Sequence, residues 1–378
     1  MVMAGASPAL SKSKPIEVGY DDGLEIVTKD GNNRFHIEWR AQLRFEDLDA
    51  AAHPDGRIED IDEFSVNRAR FKFGGHVYRP WLRFYIEYDL VGSRLLDLRF
   101  ELGRSPKAEL RVGQYKVRYN RERVDSSGKQ QFVERSIVNR TFNLDRQQGL
   151  TLRGRLFEGK PADSRYAVGV FTGTGRGEDG DSDDHPLYTA RWQWNFLRRD
   201  LEFSQSDIPR HEKPAGSLAV AAASNRSSFT RFSSSGGGQL DGFDDGQPGQ
   251  YDIEQAMLEL ALKSRGLSIQ GELHRKEIDD RIANTTTELT GYYAQVGYFL
   301  SEVIDGFPKP LELAARYARV RREGDRQRSG DESTLVANWF FHGHRNKLTT
   351  DVSYLQNFVD GPGEVSGWRF RLQWDISF

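Results

Sequence analysis

Trp368-Arg-Phe-Arg-Leu-Gln-Trp-Asp-Ile-Ser-Phe378 ends the chain in strict alternation: Trp368, Phe370, Leu372, Trp374, Ile376 and Phe378 share one parity, and Arg369, Arg371, Gln373, Asp375 and Ser377 the other. Successive side chains of an extended chain point to opposite faces. The segment therefore has one apolar, aromatic-ended face and one charged face, over the ~9–11 residues a tilted strand needs to cross a bilayer. It reads as a membrane-spanning β-strand. A slip of one residue would move Arg369 and Arg371 into hydrocarbon at roughly 2–4 kcal/mol each near the midplane, so the register is forced. A half-buried strand of a soluble sandwich alternates in the same way, and the rest of the chain has to decide.

The same period recurs upstream. Phe35, Ile37, Trp39, Ala41, Leu43 and Phe45 alternate with His36, Glu38, Arg40, Gln42, Arg44 and Glu46. Arg68, Arg70 and Lys72 oppose Ala69, Phe71 and Phe73; Leu82, Phe84, Ile86, Tyr88 and Leu90 oppose Arg83, Tyr85, Glu87 and Asp89; Leu96, Leu98, Phe100 and Leu102 oppose Asp97, Arg99 and Glu101. Gly, Pro and Asp punctuate these runs. Further candidates lie near 108–116, 148–158, 165–172, 187–196, 200–206, 217–224, 252–263, 266–278, 289–300, 310–320, 333–342 and 346–357, seventeen in all with the five above. Single-chain bacterial barrels have an even number of strands, so sixteen is expected, with eighteen as fallback and 200–206 as the weakest candidate. Residues 254–265 and 311–322 have compositions that also suit amphipathic helices. We read them as strands, because Ala256, Leu258, Leu260 and Leu262 then form a clean outer face. Residues 178–185, 224–250 and 321–332 read as solvated loops on the long-loop side.

Composition agrees with one large all-β antiparallel transmembrane barrel. Only 37% of the 378 residues are hydrophobic and no run of about 18 apolar residues occurs, which excludes transmembrane helices. Barrel strands offer lipid only every second residue, and aromatics gather in interfacial girdles; Trp 7, Tyr 14 and Phe 23 suit that. There is no cysteine, hence no disulfide or thiolate site. A net charge of −3 gives no global reason to bind nucleic acid. Arginine outnumbers lysine 40 to 13, a residue whose planar fork suits carboxylates and phosphates. The start of the chain lacks the apolar core of a secretory signal. We read it as a mature sequence behind an added methionine, with residues 1–33 as a mobile arm and lead-in and 34–378 as the single barrel.

The longest break in strand patterning, about 117–148, is where a function would sit, because so long a connection in a compact domain is functional or disordered. It carries Arg118, Arg121, Arg123, Lys129, Arg135, Arg140 and Arg146 against Glu122, Asp125, Glu134 and Asp145. Folded inward, it would narrow a lumen and line it with guanidinium groups. Arg121-Glu122 and Glu134-Arg135 read as ion pairs that hold this loop.

Ala108-Glu-Leu-Arg-Val-Gly-Gln-Tyr-Lys116, Arg121-Glu122, Phe132-Val-Glu-Arg-Ser136 and Asp145-Arg-Gln-Gln-Gly-Leu-Thr-Leu-Arg-Gly154 resemble the phosphate-selective porin O and P family. So do Val66-Asn-Arg-Ala-Arg70, Gly291-Tyr-Tyr-Ala-Gln-Val-Gly-Tyr298, Ala315-Arg-Tyr317, Asn338-Trp339 and the terminal Phe378, which carry the resemblance over nearly the whole chain. Where members of the family usually have proline and phenylalanine after the Gly-Gln-Phe-Lys-like motif, this chain has Arg118 and Tyr119. The resemblance implies a sixteen-stranded barrel in the bacterial outer membrane, a homotrimer in lipid, with the third loop in the pore. It does not by itself imply phosphate; our reading is passive diffusion of small hydrophilic solutes, with anions such as phosphate expected to be preferred because of the basic loop. The candidate pore residues are Lys116, Arg118, Arg121, Arg123, Lys129, Arg135, Arg140 and Arg146, with Arg70 and Lys72 from the wall.

The legible inward faces temper that expectation. Arg40, Arg44, Arg68, Arg70, Lys72, Arg83, Arg99, Arg369 and Arg371 give nine positives against seven negatives at Glu38, Glu46, Glu87, Asp89, Asp97, Glu101 and Asp375. A mixed wall leaves the loop to bias ions over a Debye length of ~8 Å, and a weak to moderate anion preference is expected. A general porin without selectivity and a soluble or surface all-β binding protein are the alternatives. No enzyme, cofactor or metal reading competes. His342-Gly-His344 would put two imidazoles on one face with no evident third ligand, and no motif positions a serine with a histidine.

Overall fold

Alternation becomes a wall once every strand has two neighbours. The computed structural model describes residues 15–48, 61–176, 185–233, 236–323, 328–359 and 363–378, and eighteen of its strands share one antiparallel sheet. Sixteen close into a barrel: β1 Arg34–Leu48, β2 Ile61–His76, β3 Leu82–Asp89, β4 Arg94–Ser105, β5 Ala108–Lys116, β6 Arg146–Leu156, β7 Ser164–Phe171 and β8 Leu187–Trp194, then β9 Ala215–Ser227, β10 Tyr251–Ser264, β11 Leu267–Asp280, β12 Thr285–Tyr298, β13 Leu311–Glu323, β14 Arg328–His342, β15 Asn346–Val359 and β16 Gly363–Ser377. β16 closes on β1, with Arg369 opposite Leu48 and Ser377 opposite Arg40. The terminal Phe378 exchanges two backbone hydrogen bonds with Trp39, at 3.0 and 2.7 Å. A closed sheet leaves no edge amides unsatisfied in an apolar surrounding. Among the described residues no helix is long and apolar enough to cross a membrane.

The other two strands, Ile16–Tyr20 and Leu24–Thr28, form a hairpin where the sequence reading places an arm, and the second of them pairs with the start of β1. Residues 1–14 lie outside the described residues.

The closing strand turns as its pattern requires: Arg371, Gln373 and Asp375 are buried inside, while Trp368 and Trp374 are 59% and 42% exposed outside. Both segments of ambiguous composition are strands. β10 points Ala256, Leu258, Leu260 and Leu262 outward, held on both sides by the ladders of β9 and β11. Sixteen is therefore the strand count, and the supernumerary run is 200–206, which belongs to the β8–β9 connection. Leu96 is a second departure. Between Glu87 and Tyr88 the β3–β4 register shifts, and this bulge leaves Leu95 exposed and turns Leu96 inward at 1% exposure.

Two of the three expected loops are also corrected. β13 and β14 run to Glu323 and from Arg328 through the expected loop at 321–332, because their alternation continues to the barrel rim. In 224–250, the first four residues finish β9, and Thr230 and Phe232 are buried within the barrel rather than solvated. The acidic run at 178–185 lies outside the described residues except for His185.

One mouth carries the shorter connections, such as Arg265-Gly266, whose φ values of 46° and 80° match a type I′ hairpin. The opposite mouth carries the connection 117–145, bounded by β5 and β6.

Candidate functional site

The inner wall is not uniformly ionic, and its apolar sector explains where the loop lies. Strand β9 turns Ser217, Ala219, Ala221 and Ala223 inward, all small, which leaves room beside the wall. Tyr119, Leu144 and Phe232 fill that room against Phe171, Leu187 and Met257. The loop contains two short helices, α1 Arg121–Val124 and α2 Ile137–Phe142. Val138 and Phe142 of α2 pack on Ile253, Ile278, Leu289, Tyr293 and Ala318 of the later strands. Burying each such side chain is worth about 1.5–3 kcal/mol, so an apolar face helps to seat the loop.

A chain crossing a packed lumen must still satisfy its backbone amides. Wall carboxylates accept from them: Glu259 from Arg121 N at 3.1 Å, Glu272 from Glu122 N at 2.8 Å, Asp351 from Val133 N at 3.1 Å and Glu332 from Ile137 N at 2.9 Å. Wall donors reach the carbonyls: Gln255 to Phe142 O at 3.0 Å, Asn338 to Gln131 O at 2.9 Å, Arg316 to Glu134 O at 3.0 Å and Lys347 to Gln130 O. Val117 N bonds Asp145 O at 2.8 Å and closes the neck. None of these wall residues stands out in the sequence; the only signal is charge or amide on the inward parity of a late strand.

The predicted pore residues are brought into the lumen but serve different ends. Arg121 is fully buried against Glu259, Nε to Oε1 3.1 Å. Arg123 donates its Nε to Asp145 at 2.7 Å, and Arg146 its Nε to Asp97 at 2.6 Å. Arg70 pairs with Glu87 at 2.7 Å and Lys72 with Glu38 at 2.5 Å. Arg135 bonds the carbonyls of Glu122 and Asp125, both at 2.7 Å, and Lys116 bonds Asp125 O at 3.2 Å. Lys129 and Arg140 are exposed. Arg121-Glu122 and Glu134-Arg135 do hold the loop, but not as neighbouring pairs. Glu122 accepts from Ser136 Oγ at 2.8 Å and Glu134 from Arg44 and Arg68, both at 2.7 Å. Adjacent side chains diverge, so partners come from elsewhere in the barrel.

Two groups are left without such partners. Arg118 has no acidic partner among the described residues; its guanidinium lies 5.2 Å from the ring of Phe203 and its Nε–H donates to no acceptor. Burial, with Arg153, Arg111, Arg165 and Arg191 around it, lowers its proton affinity, the mark of a cation that lacks a counter-charge. Asp125 is buried with both carboxylate oxygens unbonded, and burial pushes its carboxyl up to about 7.

Two cavities open below the loop, towards the short-turn mouth. One, of about 480 Å³, is lined by Arg83, Arg104, Arg118, Arg153, Arg155 and Arg165 with only Glu109 and Glu158 opposed. The other, of about 610 Å³, holds Arg40, Lys72, Lys129 and Arg345 with Asp22, Glu38 and Glu202. His342 and His344 line the second, and among the described residues no group of three metal-ligating side chains occurs.

A family profile described as phosphate-selective porin O and P matches residues 35–363. No curated protein matches the sequence. Among solved structures, an in-vitro folded OmpT of Vibrio cholerae in a trimer form shares 12% identity, covering 91% of this chain and 99% of its own, at a TM-score of 0.57. An anion-selective porin from Comamonas acidovorans shares 11% identity with coverage of 91% and 99% and a TM-score of 0.55. The outer membrane channel DcaP of Acinetobacter baumannii shares 10% identity with coverage of 93% and 99% and a TM-score of 0.54. At such identities the likeness is one of fold.

Proposed function

The chain belongs to the phosphate-selective porin O and P family and is an outer-membrane porin, and from that premise we propose that it passes small hydrophilic solutes with a preference for anions of the phosphate type. One observation carries the preference: in the 480 Å³ cavity Arg83, Arg153, Arg155 and Arg165 have acidic partners, while Arg118 lines it with none among the described residues. Fixed cations lining a narrow aqueous path raise local anion concentration and repel cations. Arg118 stands at its inner end without a counter-charge, so a passing anion supplies what the protein does not. Lys116, Arg135 and Lys129 add to the field, while Arg121, Arg123, Arg146, Arg70 and Lys72 are compensated by the acids beside them. The same fold is found as a trimer in OmpT, and a homotrimer in outer-membrane lipid is the assembly we propose.

The test is a reversal potential across a potassium chloride gradient in planar bilayers. The native channel should favour chloride, and Arg118→Gln should lower the chloride-to-potassium permeability ratio by about two- to threefold. Cation preference in the native channel sinks the anion reading.

A further inference from the structure

The connection 195–214 enters the same lumen from the other side. It leaves β8 at the short-turn mouth, where Arg265-Gly266 suffices elsewhere, and climbs towards the loop. Asp207 anchors its return, fully buried and accepting from Gly266 N at 2.8 Å. Lys263 of β10 donates to Ser204 Oγ at 2.7 Å and Ser206 O at 2.9 Å, and Ser206 Oγ donates to Glu312 at 2.8 Å. At its tip Gln205 N bonds Lys129 O at 3.0 Å, while Gln205 Oε1 accepts from Gln131 N at 2.8 Å. The two inward segments thus meet tip to tip, and Arg121 Nη1 adds a bond to Glu202 O at 2.8 Å.

The segment also separates the two cavities. Asp200 pairs with Arg165 and Phe203 lies under Arg118, both arginines lining the basic cavity; Glu202, Ser204 and Ser206 line the other. Within 201–206, Leu201 packs on Ala215 and Ala261 of the wall and Phe203 lies against Arg118, while Glu202, Ser204 and Ser206 border the mixed-charge cavity.

We propose that residues 201–207 are a second constriction element, which divides the path below the loop into a basic route and a mixed-charge route, and that Phe203 positions Arg118 over the basic one. The inference rests on the porin reading. A guanidinium held over an aromatic face keeps its edge free for a second partner, because the ring offers attraction without using its N–H donors. Phe203 holds two at once, with Arg121 at 4.6 Å and already paired to Glu259, so only Arg118 has an edge to offer.

Because the chain has no cysteine, Ser204→Cys in the full-length protein is a clean reporter. Adding a thiol-specific methanethiosulfonate reagent to single channels in a planar bilayer should cut conductance by about a third or more, since the side chain lines a narrow path. Phe203→Leu should lower the chloride-to-potassium permeability ratio by about twofold, and Phe203→Trp should retain it, because the indole keeps the ring face. Full labelling of Cys at 204, verified by mass, with unchanged conductance overturns the constriction. Equal selectivity of the Leu and Trp variants overturns the positioning role. If native channels carry no current at all, it is the porin reading that fails instead.

Discussion

The inner wall of β3–β6 and that of β10–β15 are built from the same charged residue types and use them for opposite purposes. On the first, one carboxylate gathers several arginines: Glu101 lies 3.2 Å from Arg83, 3.0 Å from Arg99, 2.6 Å from Arg111 and 3.3 Å from Arg153. Cations outnumber acids there, and the surplus faces a cavity. On the second, Glu259, Glu272, Glu332 and Asp351 point at the backbone N–H groups of the loop, and their charge is spent inside the protein. A lumenal charge therefore says nothing about ions until its partner is known. The nine-to-seven count of inward charges mixes both kinds, since Arg371 is held by Asp351 at 2.8 Å while Arg83 stands 39% exposed.

Breaking the clamp should have the largest effect. Glu259→Ala leaves Arg121 and Arg191 buried without their carboxylate, a loss of about 3–5 kcal/mol. The loop should detach at its first helix, with single-channel conductance raised severalfold and the heat-modifiable gel transition shifted to lower temperature. Native conductance in this variant would mean that the apolar seat alone holds the loop.

Sharpening the opposite wall should be milder. Glu101→Gln releases four arginines from one carboxylate, and the chloride-to-potassium permeability ratio should rise by about twofold. A fall in that ratio would show that this sector does not border the conducting path.

Smaller still is a pH effect at Asp125. Its carboxyl sits at about 7 against an ordinary value near ~3.9, so the native state binds more protons than the unfolded chain between these limits, and stability falls as pH rises through that window. The anion preference should follow the same sense: Asp125 is largely neutral at pH 6 and ionised at pH 8, so reversal potentials should report weaker anion preference at pH 8. Asp125→Asn should flatten this dependence, and a slope that survives the substitution belongs to another group. The smallest effect is expected at Arg140, exposed in the last turn of α2, where Arg140→Gln should leave both conductance and reversal potential within experimental error.

Much of the barrel is legible because period two has only two outcomes per residue, and the wrong one costs lipid exposure of a charge. Misreadings fall where a local device or a long connection intervenes. The bulge at Leu96 changes parity over one residue, and 200–206 mimics a strand because Glu202, Ser204 and Ser206 border a cavity while Leu201 meets the wall and Phe203 an arginine. The loop is legible as a break in pattern and as a cluster of cations. Its seat is not: Ala219, Ala221, Ile253, Ile278 and Leu289 sit on the inward parity of strands whose sequence cannot say what they meet.

Most of the strand facing and the place of the inward loop follow from the sequence, because each is a property of neighbours along the chain, whereas seventeen candidate runs became sixteen barrel strands only in the structure. The tertiary structure alone decided which arginines are neutralised and which remain open, that a second segment rises from the other mouth, and that Arg118 rests on Phe203. Electrostatic compensation depends on distances of a few ångströms between residues far apart in the chain, 138 positions for Arg121 and Glu259 and 150 for Glu122 and Glu272, and only closure of the barrel sets those distances.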